Sequence, residues 1–353
     1  MKILRPISVL AIWLMASASA MAQISLAPPG AESPPAKSAA KPKAKARKPA
    51  ARATPSPQAT PAPSTVTVTP APAPDDPNVD LVFGAYQRGQ YKTAFDLATK
   101  RAQTGDPKAM TMLGELYANA LGVKRDYVKA ADWYRRAAEG GDREAMFALA
   151  MMRLEGRGGA ANREDAVKLL ASSAKLGNPK AAYNLALLYL DGQTLPQDVK
   201  RSAELLRQAA DAGNAEAQYA LATFYKEGTG VPKDVEKSVR LLQAASLADN
   251  VDAEVEYAIA LFNGTGTPKN EAAAVALLRK AARQNSPIAQ NRLARVLVTG
   301  QGAPIDKIEG LKWHLVAKTA GKGDPMLDEA MAALSPEDRA KVEAAARKWL
   351  GTK

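Results

Sequence analysis

The sequence predicts an all-α fold, a solenoid of helix–loop–helix repeats, and three observations carry the prediction. Alanine returns at 109, 145, 181, 217, 253 and 289, and glycine at 156, 192, 228, 264 and 300, so the chain repeats every 36 residues. The composition is 46% apolar but only 5% aromatic. Alanine-rich apolar sequence favours helix, because alanine loses no side-chain entropy there. Residue types that cap helices recur at fixed points of each period. The expected architecture is an α-solenoid, a right-handed superhelix of about six 36-residue units over residues 108–321. Capping helices are expected at 79–107 and 322–353.

The N-terminus reads differently. Lys2 and Arg5 precede an apolar run of nine residues, Ile7 to Met15, and then the small residues around Ala20-Met21-Ala22. This is the pattern of a secretory signal, with cleavage expected near Ala22/Gln23 and a periplasmic or secreted mature chain. A run this short does not span the roughly 30 Å of a bilayer core. Residues 23–78 are dominated by Pro, Ala, Ser and Thr. They include seven cations and no anion between Lys37 and Arg52: Lys37, Lys41, Lys43, Lys45, Arg47, Lys48 and Arg52. Such a segment has little to bury against its ordering entropy and reads as a disordered, partly polyproline spacer. Its cations suit a loose tether to an anionic envelope polymer or lipid surface. Of the +12 net charge, six lie in the first 76 residues, so the rest of the chain is only mildly basic. No specific nucleic-acid partner is expected there.

The first full unit shows how each repeat folds. Helix A runs from about Ala109 to Asn119, with Met112, Leu113, Leu116 and Tyr117 on one face. A seven-residue loop ends at Asp126, and helix B runs from about Tyr127 to Glu139, burying Ala130, Trp133, Tyr134 and Ala137. The turns between units carry two slots. One reads Gly105, Gly141, Gly177, Gly213, Asp249, Asn285 and Gly321, the types that tolerate a left-handed backbone. The next reads Asp106, Asp142, Asn178, Asn214, Asn250 and Ser286, all N-cap formers. Before helix B stand Asp126, Asn162, Asp198, Asp234, Asn270 and Asp306, again N-caps. A core layer is expected at Leu113, Leu149, Leu185, Leu221, Tyr257 and Leu293. The adjoining slot holds only Gly114, Ala150, Ala186, Ala222, Ala258 and Ala294, so a neighbouring helix must approach closely.

The ends differ from the middle, as terminal repeats should. Helices are expected at 79–88 and 91–103 before the array, and at 325–334 and 336–350 after it. Ser335-Pro336-Glu337-Asp338 supplies a cap, a first-turn proline and first-turn acids. Val342 and Trp349 are expected to cover the end of the stack.

Leu-Gly-Glu-Leu-Tyr at 113–117, Gly-Thr-Gly-Val-Pro-Lys-Asp at 228–234 and Ala-Ala-Asp-Trp-Tyr-Arg-Arg-Ala-Ala at 130–138 resemble the Sel1-like repeat, a relative of the tetratricopeptide repeat. The resemblance covers about residues 84–321. Ala120 and Thr194 depart from it, standing where other units carry loop glycines. The resemblance implies a non-catalytic protein-binding scaffold or regulator. Cysteine-rich members of the family have been linked to penicillin binding or hydrolysis, but this chain has no cysteine.

No catalytic constellation is apparent. His314 is the only histidine and occupies a slot otherwise held by Tyr134 and leucines, so packing is its expected role. Ser172 and Ser173 lack an adjacent base. Gly228-Thr-Gly230 and Gly264-Thr-Gly266 lack the Gly-Lys-Ser/Thr ending of a phosphate loop. No enzyme activity, cofactor or metal is expected, and the chain is expected to be a monomer. In tetratricopeptide-like solenoids helix A lines the concave face. That register places Phe147, Met151, Tyr183, Leu187, Tyr219, Ile259 and Phe262 as candidate anchors for a protein or peptide. The same side chains could instead pack against the neighbouring helix A. The residues alone leave both open.

Overall fold

The computed structural model describes residues 80–351. The expected signal segment, the spacer and its cations Lys37, Lys41, Lys43, Lys45, Arg47, Lys48 and Arg52 lie outside the described residues. The described part is built of sixteen α-helices; the first fifteen pack in succession, each on the next in the chain, and the last packs on the fourteenth. It is an all-α solenoid. Helices α1 (Leu81–Gln87) and α2 (Tyr91–Gln103) form the N-terminal pair. Six repeats follow. Their A helices are α3 (Pro107–Asn119), α5 (Arg143–Glu155), α7 (Pro179–Asp191), α9 (Ala215–Glu227), α11 (Val251–Asn263) and α13 (Pro287–Thr299). Their B helices are α4 (Tyr127–Glu139), α6 (Arg163–Lys175), α8 (Val199–Asp211), α10 (Val235–Leu247), α12 (Glu271–Arg283) and α14 (Lys307–Thr319). The chain closes with α15 (Pro325–Ala332) and α16 (Pro336–Gly351). Helix A begins two residues earlier than the periodicity suggests, because its capping residue is followed by a first turn that no apolar position marks.

The cap chemistry forms as expected. All seven residues of the junction slot have positive φ, from 60° at Asp249 to 88° at Gly141. The six residues after them cap helix A, as when Asp142 accepts from the Ala145 N–H at 2.7 Å. The six residues before helix B do the same, as when Asp234 accepts from Lys237 N at 2.9 Å. The backbone N–H of each helix B cap also donates back to helix A, from Asp126 to Tyr117 O at 3.1 Å through Asp306 to Leu297 O at 2.9 Å. This bond closes every A–B loop with the same span.

The second loop glycine is needed for a different reason. A Cβ at Gly158 would fall 2.2 Å from Tyr127 O, and one at Gly230 would fall 2.7 Å from Val199 O. Each loop therefore rests on the start of helix B in the preceding repeat. Thr194 takes that position in the third repeat and is not left-handed. There Gln197 Nε2 donates to Leu190 O at 2.9 Å, fastening the loop by a side chain. Ala120, by contrast, adopts the left-handed conformation its slot demands, at φ 59°.

Polar staples act alongside packing, both within a repeat and between neighbours. Ser173 Oγ donates to Arg143 O at 2.6 Å inside the second repeat, and Gln208 Nε2 of the third donates to Ala174 O of the second at 2.6 Å. The leucine layer is buried throughout, except at Tyr257, which is half-buried. His314 is fully buried and its Nε2 lies 2.8 Å from Asp328 Oδ1, linking α14 to α15. Val342 is fully buried, and the Trp313 and Trp349 rings meet edge-on with centroids 4.9 Å apart. Among the described residues no helix is long and apolar enough to cross a membrane.

The small-residue slot reveals a coupled choice. A Cβ on Gly114 would fall 2.6 Å from the Tyr134 ring. In repeats two to five alanine stands opposite leucine instead: Ala150 with Leu170, Ala186 with Leu206, Ala222 with Leu242, Ala258 with Leu278. Gly114→Ala is therefore expected to destabilise the array by about 1–3 kcal/mol through overpacking. Introduced alongside Tyr134→Leu, the same change should cost little. Guanidinium unfolding of the four variants of the cycle measures the coupling.

Candidate protein-interaction surface

The outward positions of helix A fall at i and i+4 in each repeat. Phe147 and Met151 come from α5, Tyr183 and Leu187 from α7, Tyr219 from α9, and Ile259 from α11. All six are half-buried. Phe262 is not on this surface: it is only 6% exposed. The reason is the direction of its slot. In the sixth repeat the equivalent Val298 has its Cγ2 only 2.9 Å from where a Gly310 Cβ would stand. The slot thus points into the contact between helices A and B of one repeat.

Four of the six remaining side chains serve two purposes at once. Phe147, Tyr183 and Leu187 pack on the cluster around Leu170, Leu185 and Leu206. Tyr219 packs on Ala222, Leu242 and Ala253. Their outer edges stay open. Neither tyrosine hydroxyl has a hydrogen-bond partner among the described residues, and neither is sealed from solvent. Burial pushes the Tyr183 phenol up to about 12, with Glu216 of the next helix A adding to the shift. Burial raises the Tyr219 phenol too, with Glu256 and Asp252 of α11 beside it. Asp252 is itself raised, by burial and by Glu256. Each tyrosine is thus accompanied by acids from the following repeat, a pairing invisible to a reading of one helix at a time. Glu256 is tied across repeats to Lys226 at 2.9 Å.

The surface changes character at both ends. Beside Met151 lies an open cleft of about 380 Å³, lined also by Ala148, Met152, Asn119 and Tyr127. Arg125 and Arg157 flank the Tyr127 ring at 5.9 and 5.6 Å. Tyr134 donates its hydroxyl to Glu115 at 2.9 Å nearby. At the other end α13 presents Asn291, Arg292 and Arg295. Arg295 Nε donates to the buried Asp324 carboxylate, which caps α15. Among the described residues no group of three or more His, Asp or Glu side chains could hold a metal ion.

An array of six helix pairs with one open helix A surface defines a repeat scaffold. The chain belongs to the Sel1 repeat family, whose repeat matches residues 107–142, 143–178, 179–214, 215–250, 251–286 and 287–322 in unbroken succession. Among solved structures it is similar to a Sel1 repeat protein from Oxalobacter formigenes, at 25% identity and a TM-score of 0.61, covering 68% of this chain and 98% of that one. It is also similar in fold to c5321, a protective antigen of uropathogenic Escherichia coli, at 24% identity and a TM-score of 0.51, covering 76% of this chain and 67% of that one. No curated protein matches it in sequence. Sel1 repeats are protein–protein interaction modules, and solenoids built from them are generally non-catalytic scaffolds.

The dual role of the tyrosines has a measurable signature. Tyr183→Phe with Tyr219→Phe removes two unpaired hydroxyls and should leave stability within about 0.5 kcal/mol. Alanine at either position should cost about 2–3 kcal/mol by emptying the ring's place on the core. In denaturant unfolding, equal losses for Phe and Ala would contradict the assignment. The pH dependence follows too. Tyr183 is raised above the ordinary 10.0, so its neutral form favours the fold. That contribution is intact below about 10 and lost as pH rises through about 12. Tyr183→Phe should therefore flatten the fall in stability over this alkaline window.

Proposed function

We propose that this chain is a non-catalytic, periplasmic scaffold or regulator that binds a partner protein or peptide through the helix A surface. The observation that carries this reading is the row Phe147, Met151, Tyr183, Leu187, Tyr219 and Ile259. These side chains are half-buried on four successive A helices, with their edges open to solvent. Aromatic side chains with one face fixed by packing and the other open are suited to anchor a partner, because little rotamer entropy is left to lose on binding. Export is read from Lys2, Arg5, the Ile7–Met15 run and Ala20-Met21-Ala22. A mature chain beginning at Gln23, found by mass spectrometry of the protein recovered from cells, supports it.

In-cell crosslinking followed by mass spectrometry tests the reading. Envelope proteins should be captured by the native chain and lost with a Met151→Ser, Ile259→Ser pair whose melting is unchanged. Capture of cytoplasmic proteins alone would overturn both the location and the role. A second reading rests on the seven cations between Lys37 and Arg52. They would tether the chain to an anionic envelope polymer or lipid surface. Binding to isolated cell wall that falls with salt and vanishes on deletion of residues 37–52 is its expected mark.

A further inference from the structure

One cation on the helix A surface has nothing to pair with. Arg292 of α13 is half-buried and makes no hydrogen bond or ion pair among the described residues. The nearby acids are already engaged. Asp324 accepts from Arg295, from Met326 N at 3.1 Å and from Asn291 Nδ2 at 3.4 Å. Glu256 is held by Lys226 at 2.9 Å. Burial holds the Arg292 guanidinium below its ordinary range and Arg295 adds to this, while Asp324 and Glu256 offset part of the shift. None of its guanidinium nitrogens is sealed from solvent. Four residues earlier on α13, and so on the same face, Ile288 is 45% exposed.

The repeat does not require an arginine here. The equivalent positions are Met112, Ala148, Asn184, Ala220 and Glu256. A partly desolvated charge without a partner costs stability. A planar guanidinium fork is, however, suited to a carboxylate, which it can grip through two parallel N–H···O bonds. We propose that Arg292 anchors a carboxylate of the partner, an acidic side chain flanked by an apolar residue that covers Ile288. This rests on the helix A reading above and gives it a direction, with apolar anchors toward α5–α9 and the acidic group at α13.

The test uses the full-length chain as bait for a displayed library of short random peptides. Selected peptides should carry Asp or Glu beside an apolar residue. Arg292→Gln and Arg292→Met should bind those peptides roughly tenfold or more weakly, and Arg292→Lys should fall between. Changing the peptide's acid to its amide should weaken binding to the native chain but not to Arg292→Gln. Arg292→Met should melt at the same temperature as the native chain or higher. A lower melting temperature for Arg292→Met, or an acid-to-amide penalty that persists in Arg292→Gln, would overturn the proposal. Peptides selected without acids would overturn it and leave the helix A reading standing. No selection at all would overturn both.

Discussion

One hydrogen bond, repeated six times, sets the geometry on which the rest of the array depends. It runs from the backbone N–H of each helix B cap to a carbonyl nine residues earlier in helix A, at 2.8 to 3.1 Å. The capping residue thus works twice. Its side chain accepts from the first turn of helix B while its own N–H fixes that helix against helix A. With the loop span set, the loop glycine is carried onto helix B of the repeat before. At Gly158 the approach is so close that a methyl group would overlap Tyr127 O. Intra-repeat closure and inter-repeat contact are consequences of one constraint, and thirty-six residues per unit is the spacing that satisfies both.

Departures from the repeat are tolerated where a second change absorbs them. Gly114 makes room for the Tyr134 ring, which uses its hydroxyl to reach Glu115. Glu254 is a less complete case. In its slot Gln218 and Gln290 donate to Ala210 O at 3.2 Å and Ala282 O at 3.1 Å. A carboxylate cannot donate there. Glu254 is fully buried, with Lys280 Nζ 2.7 Å from its Oε1, and neither carboxylate oxygen has a hydrogen-bond partner. The ion pair stands in for the lost amide bond, and the buried oxygens carry a desolvation cost that Gln218 Oε1 shares and Gln290 avoids.

Fold was far more legible in the sequence than the surface. Cap residues act on atoms two to four positions away, so Asp126 or Asn178 declares its role within its own stretch of chain. The helix A stripe could not be divided between core and surface in the same way. Whether Phe147 or Phe262 is open depends on the helix across from it. Phe262 was misplaced because its slot turns toward helix B, which periodicity along helix A does not reveal. The acids beside the tyrosines escaped notice for the same reason. Glu216 sits near Tyr183 only because two repeats stack.

Charge separates the two helical layers and argues for where specificity resides. Every helix B carries a net positive charge, while α9 and α11 among the A helices are net negative and α13 is positive. Some of the helix B cations are answered on their own helix. Arg135 pairs with Asp132 and Glu139, Lys168 with Glu164, Arg201 with Glu204. Such exposed pairs add little stability and leave a solvated, net positive layer. The A helices are arranged otherwise. Some of their polar groups bond across repeats, as Lys226 does to Glu256, and others remain without partners, as the Tyr183 and Tyr219 hydroxyls and Arg292 do. A layer of solvated charges offers a partner little beyond its net charge. A layer that alternates fixed apolar edges with unanswered donors offers position and polarity together, and it varies from repeat to repeat while the caps beneath it do not.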